Sequence, residues 1–478
     1  MRDACREAVD AAIAAGAEYA DARAVVQRDQ QVSTKNGRVE TLVDAESEGV
    51  GVRVLVDGAW GFACSSRLNE GGARDAAARA TGFARAAPAP HGRALAPVEP
   101  ATGSYRTLVA RDPFAVPLDE KIDLCLRAEE AARHPGVKVT AASARALSQR
   151  KHLVSSAGAD VEQELVECGA GLDAIASGDG LFQQRSYPSA FGGSSGQAGW
   201  EYVESLELER VAPQLGEEAA ALLRADPCPA AVTTVVINSE QVALQVHESV
   251  GHPTELDRIY GTEAAYAGTS FLAPEDLGSL RYGSALMNVW ADATTPKGLG
   301  TFGWDDEGVV ARREPVVAEG LLSGFLTSRE TAAQLGSGAG GSMRAETWNR
   351  MPLVRMTNLH LEPSERGSVD DLIADVDEGI YLSTNRSWSI DDKRLNFQFG
   401  TQIAWEIKNG RLGRMLRDAV YTGITPQFWG SLDGLGGPET WVLYGLTNCG
   451  KGQPGQSAHV SHGAPAARFR NVQVGVRP

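Results

Sequence analysis

Cysteine is sparse in this 478-residue chain, and no two of its six cysteines form a C-x-x-C pair. Cys5, Cys64, Cys125, Cys168, Cys228 and Cys449 are scattered along it, which excludes a disulfide framework as the basis of the fold. Five of them read as small buried apolar residues. Cys449 has a different setting, treated below. Long apolar runs are missing too. No stretch of about 18 apolar residues occurs, so no transmembrane helix is expected. The opening "MRDACREAVDAAIAAGAEYADAR" has neither the basic n-region nor the apolar h-region of a signal peptide, and a cytoplasmic protein is expected. Positive charge is also short. The 45 Lys and Arg residues face 61 Asp and Glu, a net charge of −16. With no Lys/Arg block, such a surface repels phosphate backbones, so nucleic acid is not expected as a direct partner.

What is present is an ordinary globular composition, 43% hydrophobic and 22% charged. The length exceeds one ordinary core and predicts two domains. The first begins with a helix over roughly Asp3 to Ala15, stopped by Gly16. Asn36-Gly37 in "VSTKNGRVETLV" and Asp57-Gly58 in "VGVRVLVDGAWGFAC" are strong hairpin signals. With an Ala-rich helix from about Glu70 to Ala86, the pattern reads α-β-β-β-β-α. The Pro-rich stretch at 87–103 reads as a crossing or linker. Helices around Leu118 to Arg133 and Leu206 to Arg224 bracket strands between about Lys138 and Ile175. "ADPCPAA" (Ala225 to Ala231) breaks the chain. The expected division is therefore an N-terminal α+β domain of helices and β-hairpins, residues 1–226, and a C-terminal β-rich domain, residues 227–478. The second opens on the buried-strand pattern "AVTTVVINS", after which Ser239 is expected to cap one central functional helix.

That helix carries "HESVGHPTELD", an H-E-x-x-x-H box with one residue more between its histidines than the zinc-protease motif H-E-x-x-H. One reading is a metal site with His247 and His252 as ligands. The other is one buried histidine and an unrelated one on a surface turn. On a regular α-helix positions five apart differ by about 140°, so the two rings would not share a face. Gly251 and Pro253 flank His252, and both loosen a helix. We therefore expect the helix to widen or end at Val250–Gly251, since a π-bulge would bring residues five apart nearly into line. Neutral imidazoles bind Zn²⁺, and a catalytic zinc needs three protein ligands. Glu248, beside one of them, is placed to take the proton of a water on the metal. The third ligand is open on these grounds. It could come from the nearby acids Glu255, Asp257 and Glu263. It could equally come from Cys449 in the glycine-rich "TNCGKGQPG", where the ammonium of Lys451 would favour the thiolate.

The whole chain resembles the TldD/PmbA family of metallopeptidases, in its catalytic TldD-like branch. The likeness rests on "GAEYADAR", "NGRVE" and "GVGVRVLVDGAWGFA" in the first half. In the second it rests on "HESVGHPTELD", "AGTSF", "WDDEG", "VRMTNL" and "NCGKGQP". The resemblance implies a zinc held by His247, His252 and Cys449, with Glu248 as general base. It implies a peptidase acting on short or unfolded peptides, and a dimer with itself or with a paralogue lacking the motif. Pro253-Thr254 departs from the glycine-containing continuation of several relatives, so no particular substrate is carried over. The alternatives are a non-catalytic peptide-binding or scaffold subunit, or a protease dedicated to maturing one ribosomal peptide.

Other residues invite weighing. Asp305, Asp306 and Glu307 in "WDDEG" suit a second metal or a cleft for a peptide amino terminus, but a solvated, capped turn is the plainer expectation. His459 and His462 in "HVSHG" read as loop histidines. His360 alternates with leucines and is expected to face solvent or a neighbouring strand. "GSGAGGSMR" (Gly336 to Arg344) lacks the Lys-Ser/Thr of a phosphate loop and reads as a linker or a flap. Arg350 and Arg355 could bind a peptide carboxylate, or form a salt bridge.

Overall fold

A computed structural model describes residues 1–87, 94–190, 192–266, 268–452 and 454–475. One eight-stranded sheet lies wholly in the first half. Its main path runs Ala59–Ser65, Arg38–Val56, Tyr19–Lys35, Val137–Ser155, Asp160–Gly178 and Thr102–Arg106. The pairs are antiparallel except the last, which is parallel. Asn36-Gly37 and Asp57-Gly58 all have positive φ, as two-residue hairpin turns of matching twist require. Between these turns the chain makes one strand, Arg38–Val56, not two. The unit is therefore α-β-β-β-α. The polar stretch "VDAESEG" stays extended because the strand pairs along its length with Tyr19–Lys35.

Alternation decides what each face of this sheet meets. Ala20, Ala22, Ala24 and Val32 share one face of their strand. They pack into apolar clusters under helices Arg2–Ala14, Glu70–Ala86, Leu118–Ala131 and Leu208–Leu222. The other face presents Asp21 and Arg23, with Arg53 and Lys151 from neighbouring strands. These are buried polar groups, and they meet the second half of the chain. Of the expected linker, residues 88–93 lie outside the described residues. Farther on, Ala96 exchanges backbone and side-chain hydrogen bonds with Arg329, and Thr102–Arg106 joins the sheet. Cys5, Cys125 and Cys168 are buried as expected. Cys64 and Cys228 keep partial exposure, because one lies on an edge strand and the other in a proline-flanked crossing.

Among the described residues the second half holds two large sheets, besides the two-stranded pair Met343–Arg344 and Leu353–Val354. In one, Glu378–Ile390, Ala231–Ile237, Ala467–Val474, Val420–Ile424 and Asn396–Lys408 follow in order. Pairing of Glu378–Ile390 with Asn396–Lys408 closes these five into a barrel. The other sheet has six strands and ends on Asn358–Leu361, Gln456–Ala464 and, at its edge, Val442–Lys451. Helix Ser239–Val246 lies between the two sheets, packed on Glu378–Ile390 on one side and Gln456–Ala464 on the other. Its cap is Asn238, one residue earlier than expected, whose Oδ1 accepts from Gln241 N at 3.1 Å. The architecture is α+β, with a β-rich second half built around one helix. Among the described residues, no helix is long and apolar enough to cross a membrane.

Candidate metal centre

Helix Ser239–Val246 does not continue as an α-helix. His247–Gly251 forms a π-turn, closed by an i→i+5 bond from His252 N to His247 O. The extra residue per turn undoes most of the rotation that would have separated the two histidines. His252 then opens a short 3₁₀ turn with Pro253 at its start. The outcome is two imidazoles with centroids 4.8 Å apart and planes nearly perpendicular. Edge strand Val442–Lys451 brings in Cys449, with Sγ 3.8 Å from His252 Nε2. The nitrogen and sulfur donors of His247, His252 and Cys449 lie within 4.8 Å of one another, all buried.

The donor set suits a zinc ion. Tetrahedral bonds of about 2.0–2.3 Å put donors roughly 3.3–3.8 Å apart, and two neutral imidazoles with one thiolate are a familiar combination. Protonation states fit as well. Burial holds both rings below the usual imidazole range. Burial alone would raise the Cys449 thiol, but the Arg355 guanidinium and His252 outweigh it and leave the thiol below its ordinary value. That cation is not the expected one. Lys451 gives its ammonium to Asp257 at 2.9 Å and to the Val354 carbonyl at 2.8 Å, while Arg355 bonds the Cys449 carbonyl.

A second layer orients the rings. His252 Nδ1 lies 3.0 Å from Glu255 Oε2, leaving Nε2 toward Cys449. His247 Nδ1 lies 2.7 Å from His462 Nε2, in a ring that is fully buried. Burial and the neighbouring His247 hold His462 well below the usual imidazole range. The acidic candidates for a third ligand are engaged elsewhere. Glu255 backs His252 and faces Lys451 at 3.4 Å. Asp257 takes Lys451, and Glu263 accepts from Gly452 N at 3.2 Å. They anchor the loop that carries Cys449. Glu248 is buried, and its Oε2 is 2.6 Å from Nη1 of Arg394. Sequence reasoning missed Arg394 and placed His462 in a loop. His462 lies in strand Gln456–Ala464, and its neighbour across space is 215 positions away.

The remaining candidates fall elsewhere. Asp305, Asp306 and Glu307 are each 1% exposed, so "WDDEG" is no solvated turn. They receive cations from the first half of the chain. Lys151 Nζ is 2.6 Å from Asp306, and Arg53, already paired to Asp21 at 2.6 Å, reaches Glu307 at 3.1 Å. Asp305 accepts from the backbone of Glu307, Val309 and Met343. The motif is an ionic seam between the N-terminal sheet and the second half. Arg355 is buried and gives both ends of its fork to the carbonyls of Cys449 and Gln456, so it does not face a peptide carboxylate. Arg350 donates to Asn349, and its carbonyl accepts from Arg23. His459 pairs with Glu167 at 2.5 Å. His360 is buried between strands, bonded to Thr295 Oγ1 and Gly463 N, and burial lowers its ring to about 4. The Gly336–Arg344 stretch is tied down through Gly340 N to Thr327 and Met343 N to Asp305.

Three segments match models of the PmbA/TldA metallopeptidase. These are its domain 1 over residues 20–84, its central domain over 111–225 and its C-terminal domain over 230–476. A metalloprotease of Methanothermobacter thermautotrophicus is 31% identical over 466 residues, covering 96% of this chain and 95% of the relative. A zinc metalloprotease TldD homolog of Saccharolobus solfataricus is 24% identical over 275 residues, 56% of this chain and 57% of that protein. The crystal structure of a candidate modulator of a DNA gyrase from Thermotoga maritima is similar at a TM-score of 0.78. Its identity is 19%, with 98% of this chain and 99% of that one covered. TldE from Thermococcus kodakarensis gives a TM-score of 0.73 at 14% identity, covering 99% and 100%. At such identities the two structures speak for the fold alone.

Proposed function

The chain belongs to the PmbA/TldA metallopeptidase family, also written TldD/PmbA, and from that premise we propose that it is a zinc-dependent peptidase of short or unfolded peptides. In this reading His247, His252 and Cys449 are the ligands and Glu248 is the general base. The observation that supports it most is the meeting of three buried donors, two on a π-turn and one from a distant strand, beside a buried carboxylate. A zinc ion held there would supply a Lewis acid for the scissile carbonyl.

The chain's own residues have definite tasks. A ring that coordinates through Nε2 carries its proton on Nδ1. His247 therefore donates to His462 Nε2, and His252 donates to Glu255 Oε2. Glu248 takes a proton from the attacking water as the carbon–oxygen bond forms. It then delivers that proton to the leaving amine as the carbon–nitrogen bond breaks. Arg394 fixes the carboxylate by a charge-assisted hydrogen bond. Strand Val442–Lys451 is an edge, with Gly445 N engaged by Ser194 Oγ and exposed positions at Asn448 and Gly450. An extended peptide adding as a strand beyond Gly445 would pass Cys449, held by backbone contacts that tolerate varied side chains. We propose a dimer, with itself or with a motif-less paralogue, as the working form.

The test is metal analysis of the purified chain with peptide cleavage measured with and without a chelator. Glu248→Ala should retain zinc and lose turnover. Wild-type cleavage by that variant would remove Glu248 from the mechanism, and a chain that binds no metal would favour the scaffold reading.

A further inference from the structure

The π-turn that aligns the two histidines needs support, because a wide turn leaves backbone carbonyls without their usual donors. In a regular helix the Ser249 carbonyl would accept from the amide four residues on. That residue is Pro253, which has no N–H. The Tyr282 hydroxyl supplies the missing donor, bonding Ser249 O from a fully buried position. Thr254 Oγ1 likewise lies 2.8 Å from Val250 O and 2.9 Å from Gly251 O. On the other side, a side chain at Gly251 would press on the buried Met356, whose Sδ would lie 2.1 Å from an added Cβ. Packing thus closes the turn on one flank, and two hydroxyls satisfy it on the other.

Resting on the metallopeptidase reading above, we propose that Tyr282 is a positioning residue of the metal centre. Its hydroxyl holds the π-turn, with Thr254 as its partner, and so sets His252 against His247. Tyr282 bonds the backbone of the turn through Ser249 O and packs its ring on Phe271. Its influence passes through the backbone, by way of the carbonyl that Pro253 leaves unserved. Without that hydroxyl the buried Ser249 carbonyl is unsatisfied, and an α-helical turn would not serve it either because of Pro253, so the segment carrying the two rings loses the contact that fixes its wide geometry.

The experiment uses the full chain with zinc alone as probe. Zinc affinity is read by competition with a chromophoric chelator, and the absorption of the cobalt-substituted protein reports ligand geometry. Tyr282→Phe keeps the ring in the core and removes only the hydroxyl. The expected loss of zinc affinity is roughly 10–100-fold, the range for residues that orient ligands, with an altered cobalt d–d spectrum. Tyr421→Phe is the control. Its buried hydroxyl bonds the side chains of Gln241 and Gln245 on the α-helical part, so its removal should lower thermal stability and leave zinc affinity unchanged. Thr254→Val should repeat the effect of Tyr282→Phe, and Thr254→Ser should restore wild-type behaviour, which keeps the test decisive if Tyr282→Phe does not fold. Wild-type affinity in a folded Tyr282→Phe, wild-type affinity in Thr254→Val should Tyr282→Phe not fold, or an equal loss in Tyr421→Phe, overturns the proposal. A wild-type chain that binds no zinc overturns the metallopeptidase reading along with it.

Discussion

His462 provides the sharpest test of how the metal centre is built. Its Nε2 is 2.7 Å from His247 Nδ1, and the ring is fully buried. If His247 coordinates through Nε2, its Nδ1–H must find an acceptor, and His462 provides it. His462→Leu fills much of the same volume and takes the acceptor away. A buried donor left unsatisfied costs about 1–3 kcal/mol. That penalty weighs on the ring orientation that binds metal, so zinc should bind roughly 5–150-fold more weakly. His462→Gln retains a side-chain oxygen and should lose far less. The assay is chelator competition on the full chain at fixed pH, with peptide turnover measured at saturating zinc to separate affinity from catalysis. Zinc binding as tight in His462→Leu as in the wild type would refute the reasoning. An equal loss in the Leu and Gln variants would mean that a hydrogen-bond acceptor for His247 is not what His462 supplies.

Two further predictions concern the scaffold. Lys151→Met strands Asp306 in the interior with Arg23 at 4.0 Å as its remaining cation. Breaking a buried pair in this way should cost about 3–5 kcal/mol, read as a lowered unfolding midpoint, and adding Asp306→Asn should recover part of it. An unchanged midpoint in Lys151→Met would show that the seam does not hold the two halves together. Glu240 predicts a pH dependence. Burial raises its carboxyl to about 7, against the bond it accepts from Asn385 N. A folded-state pKa above the unfolded value means that the folded chain holds the extra proton. The stability linked to Glu240 is therefore complete below the ordinary glutamate range and is lost as pH rises through about 7. Glu240→Gln should flatten the fall in melting temperature across that window, and parallel curves for the two proteins would sink the assignment.

Much of this protein is legible in its sequence because short-range chemistry writes it there. Asn36-Gly37 and Asp57-Gly58 turn where they stand, since left-handed φ at both positions is a local requirement. Gly251 and Pro253 around His252 announce the irregular helix for the same reason. Their effects act on adjacent peptide units. The H-E-x-x-x-H spacing together with the cysteine loop points to the three buried donors that the fold brings within 4.8 Å of one another. The strand count erred where Arg38–Val56 runs through a polar stretch, because a long partner strand, not local propensity, keeps it extended. Asn238 took the capping role expected of Ser239, a difference of one residue that short-range preference does not resolve.

The sequence by itself determined the hairpins, the break in the central helix and the residue types able to hold a metal. These follow from forces that reach only a few positions along a chain. The tertiary structure alone decided that Arg355, and not Lys451, tunes the Cys449 thiol, that His462 steadies His247, and that the acidic "WDDEG" is an internal ionic seam. Burial and charge pairing depend on which surfaces meet. Those meetings join residues hundreds of positions apart, where local pattern carries no signal.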